Sequence, residues 1–445
     1  MKIPHKSIIY GTIILTGVSF LCRGIGFFYR MFISQTFGEE GMGIYQLTAP
    51  VMSMAFSLCC AGFQTAISRY VAAQNDDTRS SLRFLFCGLA ITTILSSLLS
   101  TAIFILSDFL SVYVLLEPRT APLLRLLSLA FPFSAIHCCV NGYFYGRKKA
   151  SVPALLQLTE QIARVGSVYL LCHFYSMHNY EIPLALTAAG SAIAEVASTL
   201  ISLCFIIPGL NRLQPNIPRK PYHSIKDTSL YQTTVCLLSM ALPLSISRII
   251  VNLLQNVENI YIPEMLRQFG YSTAESLSLF GVLTGMALTV ILLPSSLVNS
   301  VSVLLLPRIS EAQASGKNKT IAYVIRRSVT FCCIMGLFFS TILFLSGRWI
   351  GNFLFHSETA GEYIVTLSFI CPFLYITSSL GSILHGLGKT YTTLFINVGT
   401  LLIRIAFVFW LIPVMGLPGY ILGLLIGQCF SAVCCIISLH KYAVY

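Results

Sequence analysis

The residues of this 445-residue chain that could do chemistry are charged and amide side chains set inside apolar stretches. The densest set runs from Ser245 through Arg248, Asn252 and Gln255 to Asn259, at spacings of three and four, with Asn256 and Glu258 alongside. Such spacing puts them on one face of a helix. Arg23 and Arg30 are seven apart and share a face of an earlier apolar stretch. Gln157, Glu160, Gln161 and Arg164 form a third group, Asn397, Thr400 and Arg404 a fourth, and Glu195 stands alone. Ionisable groups at membrane depth are costly and face a wet cavity or a partner. Guanidinium groups pair with phosphate oxygens through two parallel bonds, so Arg23, Arg30 and Arg248, with Asn252 and Gln255 beside them, are expected to bind an anion. Glu258 with Asn397 and Thr400 suits a coupling Na⁺ or proton better than a cationic substrate. Glu160 and Arg164 either neutralise one another or line a cavity, and Arg404 is expected to anchor at the outer boundary.

Covalent catalysis finds no support. The chain has no phosphate-binding loop of the ATPase kind, and Gly24–Gly26 lacks the third glycine of a dinucleotide fingerprint, reading instead as close helix packing. His137, His173 and His178 are scattered, so no metal site and no cofactor is expected, and the chain is not read as an enzyme. The fifteen cysteines include the pairs Cys59–Cys60, Cys138–Cys139, Cys332–Cys333 and Cys434–Cys435, which sit inside apolar stretches and act there as small apolar residues.

The elements that must position these groups are membrane helices. The chain is 56% hydrophobic and 10% charged, against about 25% charged in a soluble domain. Its apolar residues come in blocks of about 20, the length needed to cross hydrocarbon, and no alternating barrel strands are visible. About twelve spans are expected, near 8–33, 43–68, 84–107, 121–145, 153–174, 183–207, 233–262, 279–306, 323–346, 360–384, 391–413 and 419–440. The first contains Arg23 and shows no cleavage site, so it reads as a retained helix.

Orientation follows the lysines and arginines. With both termini inside, Lys2, Lys6, Arg69, Arg79, Arg83, Arg147, Lys148, Lys149, Arg212, Arg219, Lys220, Lys226, Arg308, Lys317, Lys319, Arg326, Arg327, Lys389 and Lys441 are cytoplasmic, whereas the outer loops hold Arg119, Arg125, Arg267 and Arg348. The net charge of +12 is thus mostly topological and does not call for nucleic acid as a partner.

A segment rich in proline and charge at 208–232 divides the chain into an N-terminal lobe, 1–207, and a C-terminal lobe, 233–445. The lobes repeat one another. At a constant offset of 240, Pro132 falls on Pro372, Gly146 on Gly386, Lys149 on Lys389 and Arg164 on Arg404. SRYVAAQ from Ser68 pairs with PRISEAQ from Pro307 at 239, which puts Arg69 on Arg308. Six helices per lobe make both lobes enter the membrane in the same sense, as in transporters that rock two bundles about a central cavity. The expected fold is all-α and polytopic, with two pseudo-symmetric six-helix lobes around a cavity made positive by Arg23, Arg30 and Arg248.

The stretch GTIILTGVSFLCRGIGFFYRMFISQTFGEEGMGIYQLTAP (Gly11 to Pro50), followed by AGFQTAISRYVA (Ala61 to Ala72), resembles the stage V sporulation protein B group of the multidrug/oligosaccharidyl-lipid/polysaccharide exporter superfamily. That resemblance implies the fold of multidrug exporters and lipid II flippases, alternating access, and a polyprenyl-pyrophosphate-linked saccharide as substrate. It maps Arg23 and Arg30 onto basic positions of the first helix, Arg69 onto the basic end of the second, and Arg248 onto a seventh-helix arginine. It further implies a bacterial cell membrane, membrane lipids and envelope-synthesis enzymes as partners, and a place in spore cortex synthesis. Relatives that flip lipid II often have two more helices at the C-terminus, so a different lipid-tail path is expected here. The alternative within the superfamily is a cation-coupled multidrug antiporter, which calls for acidic cavity lining that is sparse here.

Overall fold

A computed structural model describes residues 5–74, 78–178, 183–211, 230–295, 298, 309, 313 and 318–443. The linker beyond Asn211, most of the Pro307–Gln313 repeat segment, and Lys2, Arg212, Arg219, Lys220, Lys226, Arg308 and Lys317 lie outside the described residues. Among those described there is no strand, as an all-α chain requires. The helices are α1 (His5–Leu47), α2 (Ala49–Phe56), α3 (Gly62–Ala73), α4 (Thr78–Ile105), the single turn α5 (Ser107–Phe109), α6 (Ala121–Ser128), α7 (Phe131–Gly146), α8 (Ser151–Met177), α9 (Ala185–Asn211) and α10 (Leu230–Phe269). There follow α11 (Thr273–Gly281), α12 (Leu288–Leu292), α13 (Asn318–Ile350), α14 (Glu358–Leu367), α15 (Cys371–Gly386), α16 (Thr390–Trp410), α17 (Ile412–Met415) and α18 (Leu417–Ala443).

Nine helices among the described residues are long and apolar enough to cross a membrane, or ten if the pair Pro118–Ser128 and Phe131–Gly146, bent by 50°, forms one span. The difference from the expected twelve has identifiable sources. The first two expected spans run together over Gly17–Ala73. α8 has the length, but Gln157, Glu160, Gln161 and Arg164 lower its apolarity. Exposed Leu98, Ile105 and Leu345 are what a lipid-facing surface demands. The two tryptophans, Trp349 and Trp410, are both exposed at helix ends, where the bilayer interface favours amphipathic rings.

The chain forms two compact units, Met1–Ile25 with Thr48–Asn252, and Gly26–Leu47 with Leu253–Tyr445. α1 and α10 therefore each give part of their length to either unit.

In the first unit Phe63, Ile67, Leu85, Cys139, Tyr143, Leu156 and Leu237 form the core. Glycines let its helices meet backbone to backbone, as membrane packing favours. A Cβ at Gly142 would lie 2.6 Å from the Gln64 carbonyl oxygen, and one at Gly62 would lie 2.3 Å from that of Ala241. The early part of α10 docks there, and Tyr70 Oη donates to the Cys236 carbonyl at 3.0 Å. All fifteen cysteines are free thiols, in keeping with their reading as packing residues.

In the second unit α1 is interrupted at Gly38, whose φ of 72° with ψ of −174° is open to glycine and strained for other residues. Just after the break, Glu39 accepts hydrogen bonds from Ser278 Oγ at 2.6 Å and from Ser357 Oγ. This fixes the segment against α11 and the start of α14. Gly43 completes the contact, because a Cβ there would lie 2.0 Å from the Leu277 carbonyl oxygen.

Each unit carries the same local geometry 240 residues apart. Leu116 and His356 are both left-handed, with φ of 57° and 54°, as are Lys148 at 58° and Gly388 at 74°. Hydrogen bonds repeat in register: the Lys149 amide donates to the Phe144 carbonyl at 2.9 Å, as Lys389 does to Leu384, and Glu117 donates to Ser111 as Ser357 does to Gly351. Pro132 and Pro372 open α7 and α15 at matching positions, where proline's missing donor costs nothing. The duplication is therefore structural as well as textual.

Gly43→Ala is expected to destabilise the protein by about 1–3 kcal/mol through overpacking against a backbone that cannot yield. Gly166→Ala, with nothing within 4 Å of the added carbon, is expected to be neutral or to stabilise by up to about 1 kcal/mol. Thermal unfolding of the two variants in detergent micelles checks both values.

Candidate functional site

The polar stripe on α10 divides its labour. Ser245 is buried where Gly62 packs on the helix. Asn252 Nδ2 donates to Ser57 Oγ at 2.5 Å and approaches the Ser53 carbonyl at 3.4 Å. These two side chains are packing groups of the first unit. Arg248, one turn before Asn252, and Gln255, one turn after it, are exposed. The stripe is therefore not the continuous wet face that its spacing predicts, since part of it is spent on docking the helix.

Arg23 on α1 and Arg69 on α3 are also exposed. Arg23, Arg69 and Arg248 make no ion pair with any described residue. Arg30 differs: it is half-buried, and its Nη1 donates to Thr289 Oγ1 at 2.5 Å within the second unit.

In the second unit Glu258 is fully buried and meets Arg404, whose Nη2 lies 2.7 Å from Glu258 Oε1. Tyr420 Oη donates to the same carboxylate oxygen at 2.6 Å and accepts from Arg404 Nη2 at 3.1 Å. The carboxylate expected to hold a coupling cation is thus paired with a guanidinium, and Arg404 is an internal ion-pair partner. Of the two side chains expected beside Glu258, Asn397 is exposed and Thr400 returns its hydroxyl to the Ile396 carbonyl at 2.8 Å. Sequence reasoning missed Tyr420, an aromatic residue in an apolar helix whose only polar atom is needed by a distant carboxylate.

The first unit gathers a second cluster, from α7, α8 and α9. Arg164 Nη2 donates to Glu160 Oε1 along α8, which settles the neutralisation reading for that pair. Glu195, read from sequence as a lone carboxylate, places Oε1 4.0 Å from Arg164 Nη2 and Oε2 4.0 Å from His137 Nδ1. His137 Nδ1 is also 3.9 Å from Glu160 Oε2 and 3.2 Å from Ser198 Oγ. His137 is thus joined to the acidic residues rather than scattered. Its Nδ1 and the two carboxylates lie within 4.8 Å of one another, and the Arg164 guanidinium is already seated on Glu160, a charge that disfavours a metal ion there. No sequence spacing links residues 137, 160 and 195; only the helix packing does.

Set beside known proteins, residues 8–313 match the model of the family described as polysaccharide biosynthesis protein. Stage V sporulation protein B of Bacillus subtilis (strain 168) is 27% identical over 428 residues, covering 95% of this chain and 82% of that protein. The lipid II flippase MurJ of the same organism is 21% identical over 465 residues, covering 99% and 84%. Among solved structures, an inward-facing multidrug resistance MATE family transporter of the MOP superfamily superposes with a TM-score of 0.71 at 14% identity, over 97% of each chain. The chain belongs to the polysaccharide biosynthesis protein family and is a multi-pass membrane protein that shares its fold with that transporter.

Proposed function

We propose that this chain is a transporter that moves a polyprenyl-pyrophosphate-linked saccharide from the inner to the outer leaflet of a bacterial cell membrane by alternating access, with both termini cytoplasmic. The observation that carries this reading is how charge is distributed. The carboxylates of Glu160 and Glu258 are each engaged by an arginine of their own unit, whereas Arg23, Arg69 and Arg248 are exposed and pair with no carboxylate among the described residues. Such exposed guanidiniums offer donors to an anion, whereas Glu160 and Glu258, already paired, offer little to an organic cation. Arg23, Arg69 and Arg248, all of the first unit, would bind the pyrophosphate. The names of the relatives support a cell-envelope saccharide and, through stage V sporulation protein B, a role in spore cortex synthesis. Likeness in fold to a multidrug exporter keeps a cation-coupled antiporter as the competing reading.

Flipping of a fluorescent undecaprenyl-pyrophosphate disaccharide in proteoliposomes tests the proposal. Each charge-assisted bond contributes about 1.5–3 kcal/mol, so Arg23→Ala and Arg248→Ala are each expected to slow transport by roughly 10- to 100-fold, with the lysine variants intermediate because they lose the two-pronged geometry. Unchanged flipping by the double alanine variant, or robust efflux of organic cations by the wild type, would overturn it.

Glu258→Gln is expected to lower stability by about 3–5 kcal/mol, because it leaves the Arg404 charge buried without a counter-charge. The double variant Glu258→Gln/Arg404→Met should recover most of that loss in thermal unfolding. A stable Glu258→Gln protein that has lost only ion coupling would instead assign Glu258, with Asn397 and Thr400, to a coupling Na⁺ or proton.

A further inference from the structure

The two units are repeats, and their buried charges can be compared position by position. Arg164 and Arg404 are mates at the offset of 240. In the second unit the mate of Glu160 is Thr400 and the mate of His137 is Thr377. There one guanidinium meets one carboxylate, and the charges balance. In the first unit the equivalent arginine faces two carboxylates, Glu160 and Glu195. Among the described residues one negative charge is left over between packed helices of a membrane protein, where an uncompensated charge is expensive.

The local geometry shows where the missing positive charge belongs. Glu195 is hydrogen-bonded to neither Arg164 nor His137, both 4.0 Å away, and its buried Oε2 has no hydrogen-bond partner among the described residues. His137 is 6% exposed, its Nδ1 reaches toward both carboxylates, and its Nε2 also lacks a described partner. Ser198 Oγ, 3.2 Å from Nδ1, can donate to that nitrogen when the ring is neutral and accept from it when the ring is protonated. The other titratable side chains beside the cluster among the described residues are thiols: Cys22 of α1, which lies near Glu160, and Cys138, which donates to Gln64 Oε1 and the Cys60 carbonyl. Neither supplies a positive charge.

We propose that His137, Glu160 and Glu195 form a proton-binding site of the first unit, holding one exchangeable proton between the imidazole and the Glu195 carboxylate. With the proton bound, the cluster, including Arg164, is neutral; without it, the cluster carries one negative charge. A transporter whose states differ in access to this cluster would take up the proton from one side and release it to the other. A sodium ion is the poorer occupant, because an imidazole nitrogen and a guanidinium stand where its oxygen ligands would be.

The test uses the full-length protein in lipid vesicles and needs no transported substrate, so its outcome is separate from that of the saccharide reading. Infrared difference spectra between about pH 5 and pH 8, the range in which a histidine site titrates, are expected to show a carboxyl and imidazole signal in the wild type. That signal should be lost in Glu195→Gln, which keeps the Glu160–Arg164 pair and needs no proton for neutrality. His137→Asn, which leaves the proton to a carboxylate alone, should retain the carboxyl signal with a shifted midpoint. The same Glu195→Gln protein should also lose the pH dependence of its unfolding temperature in this range. A wild type without the signal, the same signal in both Glu195→Gln and wild type, or a wild-type signal abolished by sodium at constant pH would each overturn the proposal. If Glu195→Gln does not fold, an unshifted midpoint in His137→Asn overturns it equally.

Discussion

A guanidinium buried among apolar helices needs a partner, and at Arg164 and Arg404 this chain supplies a carboxylate. Transferring either charge into hydrocarbon alone is costly, so Arg164 and Arg404 each fix the helix that bears their acid. In the first unit the acid lies one turn away on the same helix, at Glu160. In the second it comes from α10, at Glu258, with Tyr420 of α18 closing the triangle. The first solution is local and leaves the neighbouring helices free to bring further groups. The second ties three helices together and uses up the carboxylate oxygen it presents.

Glycine provides the complementary constraint. Where helices carry no charge to attract one another, they approach through missing side chains, as where Gly62 of α3 meets α10 and Gly43 of α1 meets α11. Close approach of this kind gives rigidity without exposing polar backbone to lipid. It also explains why α10 can spend Ser245 and Asn252 on contacts inside the first unit while Arg248 on the same helix stays exposed.

The fold was legible in the sequence wherever a signal is periodic or repeated. Apolar blocks of span length, the offset of 240 and the paired prolines all reappear as helices, matched left-handed turns and matched hydrogen bonds. The exact number of spans was less legible, because a glycine-broken run and a polar helix such as α8 do not announce their ends or their membrane character. The candidate site was legible only by residue type. Spacing along one helix revealed Glu160 with Arg164, but nothing in a linear pattern joins Glu258 to Arg404 across 146 positions, or His137 to Glu195. Pairings of that kind come from packing between helices, which sequence periodicity does not encode.

Duplication of a fold does not require duplication of its charges, and the difference between the two units carries the functional argument. The backbone of each half repeats closely, down to left-handed residues at Leu116 and His356. Along that common frame the first unit has acquired a surplus carboxylate and an imidazole, whereas the second has matched its arginine to one acid and one phenol. A neutral, tightly bonded triangle is suited to holding helices in place. A cluster that is neutral only with a proton changes charge when the proton leaves, and a change of charge inside a membrane biases one arrangement of helices against another. Repeats that share a frame but not a charge balance therefore separate the two tasks that a carrier must combine: one half supplies a fixed point and the other a group whose charge can change.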